Sequence, residues 1–154
     1  MYVLDTNVIS EFVKPNVDSS VLSFMYDHEA DVFTTSIAIQ ELYYGVLHMA
    51  EGRRQDKLHR SIDAIVRDCA NRTLAFDAFS GFLCGELRVK AQQLGRGATI
   101  EDLMIAVICK RHDAVLVTRN VKDFDYLGID VMNPFEYESP TLAELKRREQ
   151  ERQG

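Results

Sequence analysis

Short unbroken apolar runs alternate with stretches of helical periodicity along the whole chain. Tyr2, Val3 and Leu4 form the first run, and the turn formers Asp5, Thr6 and Asn7 follow at once. An apolar run closed by polar turn residues predicts a buried parallel strand. Residues 8–13 read as a short helix stopped at Lys14-Pro15, because the residue before a proline avoids the helical region. Asp18 is placed to cap a second helix carrying Val21, Leu22, Phe24 and Met25. Residues 31–35 read as a second strand. Ser36 is expected to cap a helix with Ile39, Leu42, Tyr43, Val46 and Leu47 on its apolar side.

After a break at Gly52, residues 54–71 give the cleanest helical pattern. Leu58, Ile62, Ile65, Val66 and Cys69 fall on one face, with charges between them. Residues 73–76 read as a third strand. Asp77 then caps a helix running to Leu94, with Phe79, Leu83, Leu87 and Ala91 as its expected stripe. Gly95 and Gly97 close it, and Thr99 caps the apolar helix 100–111. Residues 114–118 form a fourth, fully apolar strand, and 129–132 a fifth that ends at Asn133-Pro134. Strands alternating with helices predict an α/β fold with a parallel sheet covered on both faces. The terminal segment 141–154 has Leu142 and Leu145 and is otherwise mostly charged. It reads as a frayed helix or a partner-contacting segment.

Composition narrows this picture. At 154 residues the chain is long enough for one domain with a real core. The longest strictly apolar stretch, 103–109, is far too short to span a bilayer. No basic-then-apolar leader precedes Tyr2, so no signal peptide is expected. Cys69, Cys84 and Cys109 form no CxxC pair and sit at helical spacing among apolar residues, which predicts reduced thiols in a cytoplasmic protein. The net charge is −6 and unevenly spread: residues 1–50 hold one base, Lys14, against seven acids. A polyanion would therefore have to meet local basic patches or a cation held by the acids.

The second route has candidates. Asp5 follows strand one, Glu41 lies in the helix after strand two, and Asp102 in the first turn of the helix entering strand four. Asn120 follows strand four, with Asp123 just beyond. In a parallel sheet all strand C-termini share one edge, so these positions converge if their strands are neighbours. Converging carboxylates raise one another's pKa unless a cation is present, and Mg²⁺ suits hard oxygen ligands. Asn120 is a neutral amide and can supply only geometry. Each acid also has an ordinary structural role open to it. Asp5 and Asp102 stand near helix starts, where carboxylates cap and meet the helix dipole. The histidines at 28, 48, 59 and 112 show no metal-ligand spacing, and no P-loop, GxSxG or GxGxxG is present.

Four stretches, in order, resemble the PIN-domain family, and within it the VapC/FitB-like ribonuclease toxins of toxin–antitoxin pairs. They are Val3-Leu4-Asp5-Thr6-Asn7-Val8-Ile9-Ser10-Glu11, the run from Ser36 through Gln40-Glu41-Leu42 to Val46, Glu101-Asp102-Leu103-Met104-Ile105-Ala106, and Leu116-Val117-Thr118-Arg119-Asn120-Val121-Lys122-Asp123-Phe124. The resemblance implies a three-layer α/β/α fold with a central parallel sheet of about five strands, spanning residues 1–136, with 137–154 as a charged tail. It implies an endoribonuclease using Mg²⁺ or Mn²⁺ on structured RNA such as tRNA or rRNA. Asp5, Glu41 and Asp102 would be its acidic metal site. Asn120 falls at a fourth position that is Asp in some members, and Asp123 is the nearest alternative source of that charge. Thr6 and Thr118 match supporting hydroxyl positions. The resemblance further implies a homodimer and a cognate antitoxin, whose segment enters the cleft through a basic side chain and which builds a higher assembly. Arg96, Arg119 and Lys122 are the expected RNA contacts, by their nearness to the acids in this topology. Two other readings are weaker. A haloacid-dehalogenase-like phosphohydrolase needs a second Asp where Asn7 stands, and an inactive PIN-like binding module would not need the intact acids.

Overall fold

A computed structural model describes residues 1–153, with backbone alone at 142, 145, 146, 148, 149, 152 and 153. Its strands are β1 (Tyr2–Leu4), β2 (Val32–Thr35), β3 (Thr73–Leu74), β4 (Val115–Val117) and β5 (Val131–Met132). Its helices are α1 (Thr6–Ile9), α2 (Ser19–His28), α3 (Ser36–Leu47), α4 (Arg53–Asp68), α5 (Ala78–Gln93), α6 (Ile100–Arg111), α7 (Val121–Phe124) and α8 (Pro140–Gln153). The sheet is parallel in the order β3-β2-β1-β4-β5. The first strand of the chain is therefore the central one.

Successive residues of a strand point to opposite faces. Val3 and Leu116 enter one apolar cluster, with Leu87, Ile105, Ile108 and Phe124 from α5, α6 and α7. Leu4, Val32 and Val117 enter the other, with Val8, Phe24, Leu42 and Ile62 from α1 to α4. The result is the expected three-layer α/β/α sandwich. Among the described residues no helix is long and apolar enough to cross a membrane. All three cysteines are free thiols, and burial pushes Cys109 up to about 12.

Several local expectations shift. The segment expected to be a helix at 8–13 starts earlier, at Thr6, and tightens into a 3-10 turn at Ser10–Val13. There Glu11 is buried, accepts the Asp18 N–H and pairs with Lys14 at 2.5 Å. Thr35, not Ser36, caps α3. Its fully buried hydroxyl accepts the Ala38 N–H, while Ser36 accepts the Phe76 N–H and ties α3 to the end of β3. Leu22 and Leu47 lie exposed on α2 and α3. On α5 Leu87 and Ala91 of the expected stripe are buried, while in the first two turns Ser80 and Cys84 take the buried side, Leu83 is partly buried and Phe79 is exposed. Arg111 supplies the reason: it bonds Asp77 and Ser80 together, which turns Ser80 inward and leaves Phe79 outside under the guanidinium. Leu142 and Leu145 lie outside the described side chains. The segment leading into α8 is fastened to α2, because Tyr137 and Ser139 both donate to Asp27.

Candidate active site

β1 lies between β2 and β4, so the segments leaving their C-terminal ends meet. Asp5 stands at the end of β1, its N–H bonded to the Val117 carbonyl and its side chain 6% exposed. The carboxylate is both a helix cap and a fixed polar centre. Oδ1 accepts the Thr6 N–H at 2.7 Å. Oδ2 accepts Asn7 Nδ2 at 2.6 Å and the Thr118 hydroxyl at 2.7 Å. Thr118 is wholly buried, and its oxygen also accepts Asn7 Nδ2 at 3.0 Å and the Asn120 N–H at 3.1 Å. Asn7 Oδ1 accepts the Arg119 N–H at 3.1 Å. The turns after β1 and β4 are thus stitched together around one carboxylate.

Glu41 reaches this place from the second turn of α3, half-buried, with the Thr6 hydroxyl donating to its Oε2 at 2.5 Å. Asp102 arrives on the first turn of α6. Thr99 and Asp102 form a reciprocal capping box, so Asp102 Oδ2 accepts the Thr99 N–H at 3.2 Å. The electrostatics record their nearness. Burial pushes the Asp5 carboxyl up; hydrogen bonds from Thr118, Thr6 and Asn7 oppose this, and the Asp102 charge adds to it. Burial likewise raises Glu41 against the Thr6 bond, with the charges of Asp5, Asp102 and Glu101 adding to the rise. Three expected acids therefore share one field, and Glu101 joins it from the rim. Glu41 is turned to Thr6 and Asp102 to Thr99. Among the described residues no three of His, Cys, Asp and Glu sit close enough to enclose an ion.

The basic and amide candidates divide between two adjoining hollows. One, of about 110 Å³, is lined by Arg96, Asp102, Lys122, Asp123 and Tyr126 with the backbone around Ala98. Arg96 reaches it because Gly95, at φ +65°, ends α5 in the left-handed region, and it lies 4.9 Å over the Tyr126 ring. The other hollow, of about 530 Å³, lies beside Arg119 and Asn120 and shares Lys122 and Asp123 with the first. Asn120 is exposed and, among the described residues, joins the acids through its backbone N–H bond to Thr118. Asp123 stands with Asp102 rather than with Asp5.

Asn7 is the residue that the sequence reading undervalued. It bonds Asp5, Thr118 and the Arg119 N–H at once, and as an amide it gives Asp5 a donor where a phosphohydrolase would need an acid. The signal was its place two residues past a buried carboxylate. Tyr126 was also missed, and nothing local marked it.

A family model described as PIN domain matches residues 2–129. The chain belongs to the PIN-domain family. This PIN domain is 32% identical over 139 residues to the plasmid stability protein StbB of Pseudomonas syringae pv. tomato, covering 88% of this chain and 99% of that one. It is 30% identical over 138 residues to the VapC ribonuclease Y4jK of Sinorhizobium fredii, with the same coverage. Among solved structures, FitAcB from Neisseria gonorrhoeae superposes with a TM-score of 0.80 at 30% identity, covering 88% of the PIN domain and 99% of that chain.

Proposed function

We propose that this PIN domain is a divalent-cation-dependent endoribonuclease, the toxin of a toxin–antitoxin pair, acting on structured RNA such as tRNA or rRNA. The observation that carries the reading is the buried Asp5 at the end of the central strand, held by three donors, with Glu41 and Asp102 in its field. The similarity to a VapC ribonuclease supports the nuclease class.

The donor set suits Mg²⁺ or Mn²⁺: three carboxylates that repel one another, all hard oxygen ligands. Asp5, Glu41 and Asp102 would hold the ion once Glu41 turns from Thr6 and Asp102 from Thr99. When bound, it supplies charge neutralisation at a phosphodiester and lowers the pKa of an attacking water. The chain's own residues do the rest. Thr6, Asn7 and Thr118 fix Asp5 so that it need not reorganise. Glu41, raised by burial and oriented by the Thr6 hydroxyl, is suited to take the water's proton. Lys122, Arg96 and Arg119 lie where phosphates pass, and Asn120 and Asp123 border the same path.

An antitoxin arginine would occupy the same acids, since a guanidinium can replace a cation with bidentate bonds. A homodimer and a larger assembly with the antitoxin belong to this reading, as does a cytoplasmic setting. So does a catalytic unit of residues 1–136, with α8 in the tail. The test is cleavage of RNA with Mg²⁺ or Mn²⁺, with EDTA, and with Asp5→Ala. Cleavage should need the cation and Asp5; unchanged cleavage in EDTA overturns the proposal.

A further inference from the structure

The larger hollow beside the acids is lined by Arg119, Lys122, Asn133 and Glu136 among others. Arg119, exposed after β4, lays its guanidinium 3.7 Å over the centroid of the Phe135 ring. Phe135 is half-buried in a 3-10 turn, Pro134–Glu136, that packs on the core cluster around Leu4 and Val117. Asn133 organises that turn from both ends. Its Oδ1 accepts the Phe135 N–H at 3.1 Å, and its Nδ2 donates to Glu136 Oε1 at 2.9 Å. One face of the guanidinium is thus covered by an aromatic ring and backed by ordered structure. Arg119 is exposed and lines the hollow, so its guanidinium can offer a flat cationic platform of the kind on which unpaired bases stack. The volume of about 530 Å³ is within the range of small-ligand sites. Its position relative to the acids follows from two bonds: the Arg119 N–H to Asn7 Oδ1, and Asn7 Nδ2 to Asp5 Oδ2.

Asp123 and Glu136 both line the hollow, and Glu136 is the carboxylate fixed by Asn133 in the turn that carries Phe135, which makes it the group to discriminate bases. A carboxylate only accepts hydrogen bonds, and one oxygen already serves Asn133. Guanine is the base whose pairing edge presents two adjacent N–H donors, N1–H and the 2-amino group. Adenine and cytosine each set a ring-nitrogen acceptor beside their amino group, and uracil flanks its one N–H with two carbonyls. Those acceptors would face the carboxylate unfavourably.

We propose that this hollow is a nucleobase subsite that selects an unpaired guanine beside the scissile phosphate, stacked on Arg119 and bonded along its pairing edge to Glu136. The proposal rests on the ribonuclease reading, but its test does not need cleavage. Full-length protein in EDTA is titrated with fluorescent single-stranded pentaribonucleotides that are uniform in uracil except for a central guanine, inosine, adenine, cytosine or uracil. Guanine should bind at least about tenfold tighter than adenine or uracil, with inosine, which lacks the 2-amino group, falling between. Glu136→Gln should erase the preference while leaving the circular dichroism spectrum unchanged. Arg119→Ala should weaken all five by a similar factor. Equal binding of the five oligonucleotides, or a guanine preference that survives Glu136→Gln, overturns the subsite. Cleavage of the same oligonucleotides with Mg²⁺ or Mn²⁺ is scored separately. Guanine-selective binding with no cation-dependent cleavage of the pentaribonucleotides or of structured RNA such as tRNA overturns the ribonuclease reading alone; cleavage of the pentaribonucleotides indifferent to the central base overturns the subsite alone.

Discussion

Replacing Thr118 by Val tests the centre of the site with almost no change of shape. The side chain is wholly buried, and its hydroxyl makes three contacts. It donates to Asp5 Oδ2 at 2.7 Å and accepts from Asn7 Nδ2 at 3.0 Å and the Asn120 N–H at 3.1 Å. The first is charge-assisted and worth about 1.5–3 kcal/mol net. The second costs less to lose, because Asn7 keeps Asp5, and the third is near enough to solvent for water to replace it. The added methyl returns part of the loss. The variant should therefore be less stable by about 2 kcal/mol near neutral pH, or about 4–8 °C in melting temperature for a chain of this size. The pH dependence carries the sharper content. Asp5 already has a raised carboxyl, and the Thr118 bond is the strongest effect holding it down. Without that bond the folded-state pKa rises further, so the variant takes up its proton first as pH falls. The penalty is full above the folded pKa and shrinks as pH falls through it. Thermal unfolding in EDTA from neutral to about pH 4, near the ordinary carboxyl range, follows this directly. A gap under about 0.5 kcal/mol, well below a net hydrogen bond to a charged group, or one that stays constant with pH, would refute the reasoning.

Three further outcomes are expected. Thr34 is 3% exposed, and its hydroxyl has no hydrogen-bond partner among the described residues, where it borders an apolar hollow of about 230 Å³ with Leu4, Ile9, Phe12 and Met25. Thr34→Val should raise stability by about 1 kcal/mol, since an unsatisfied buried hydroxyl is removed without loss of volume; a lower melting temperature shows that the hydroxyl is paired. Asp102→Asn keeps an oxygen to accept the Thr99 N–H, so the cap survives while a charge leaves. In EDTA the Glu41 carboxyl should then titrate nearer its ordinary range by NMR, and an unmoved Glu41 would dismiss the shared field. The Arg111 guanidinium holds the Asp77 carboxyl well below the usual range. That contribution is present above the unfolded pKa and is lost as pH falls through the folded one. The stability gap between wild type and Arg111→Gln should therefore close in strong acid, and a gap indifferent to pH would assign it to packing.

Most of the fold could be read from the chain because its strands are short, apolar and separated by helices of clear period. The capping residues Asp18, Asp77 and Thr99 were equally legible, since capping depends on neighbours within three positions. The errors share a cause. Phe79 and Leu47 are apolar residues at helical spacing, and periodicity cannot tell which rotation of a helix faces the core. At the start of α5 Arg111, about thirty positions away in sequence, engages Asp77 and Ser80, while Leu87 and Ala91 further along are buried as their spacing predicts. The cap of α3 passed from Ser36 to Thr35 for a similar reason, because Ser36 is engaged by Phe76 across the sheet edge.

The sequence by itself determined which residues are candidates for the site: Asp5, Glu41 and Asp102 at the ends of alternating elements, with Thr6 and Thr118 beside them proposed from the family resemblance. It determined this because strand, turn and carboxylate follow one another locally. Only the tertiary structure decided that β1 lies between β2 and β4, and so that these acids share a field at all. It alone made Asn7 a bridge between two turns more than 110 residues apart in sequence. It also brought Phe135 beneath Arg119. Such contacts depend on strand order, and strand order follows from burying two faces of one sheet, a property of the whole chain.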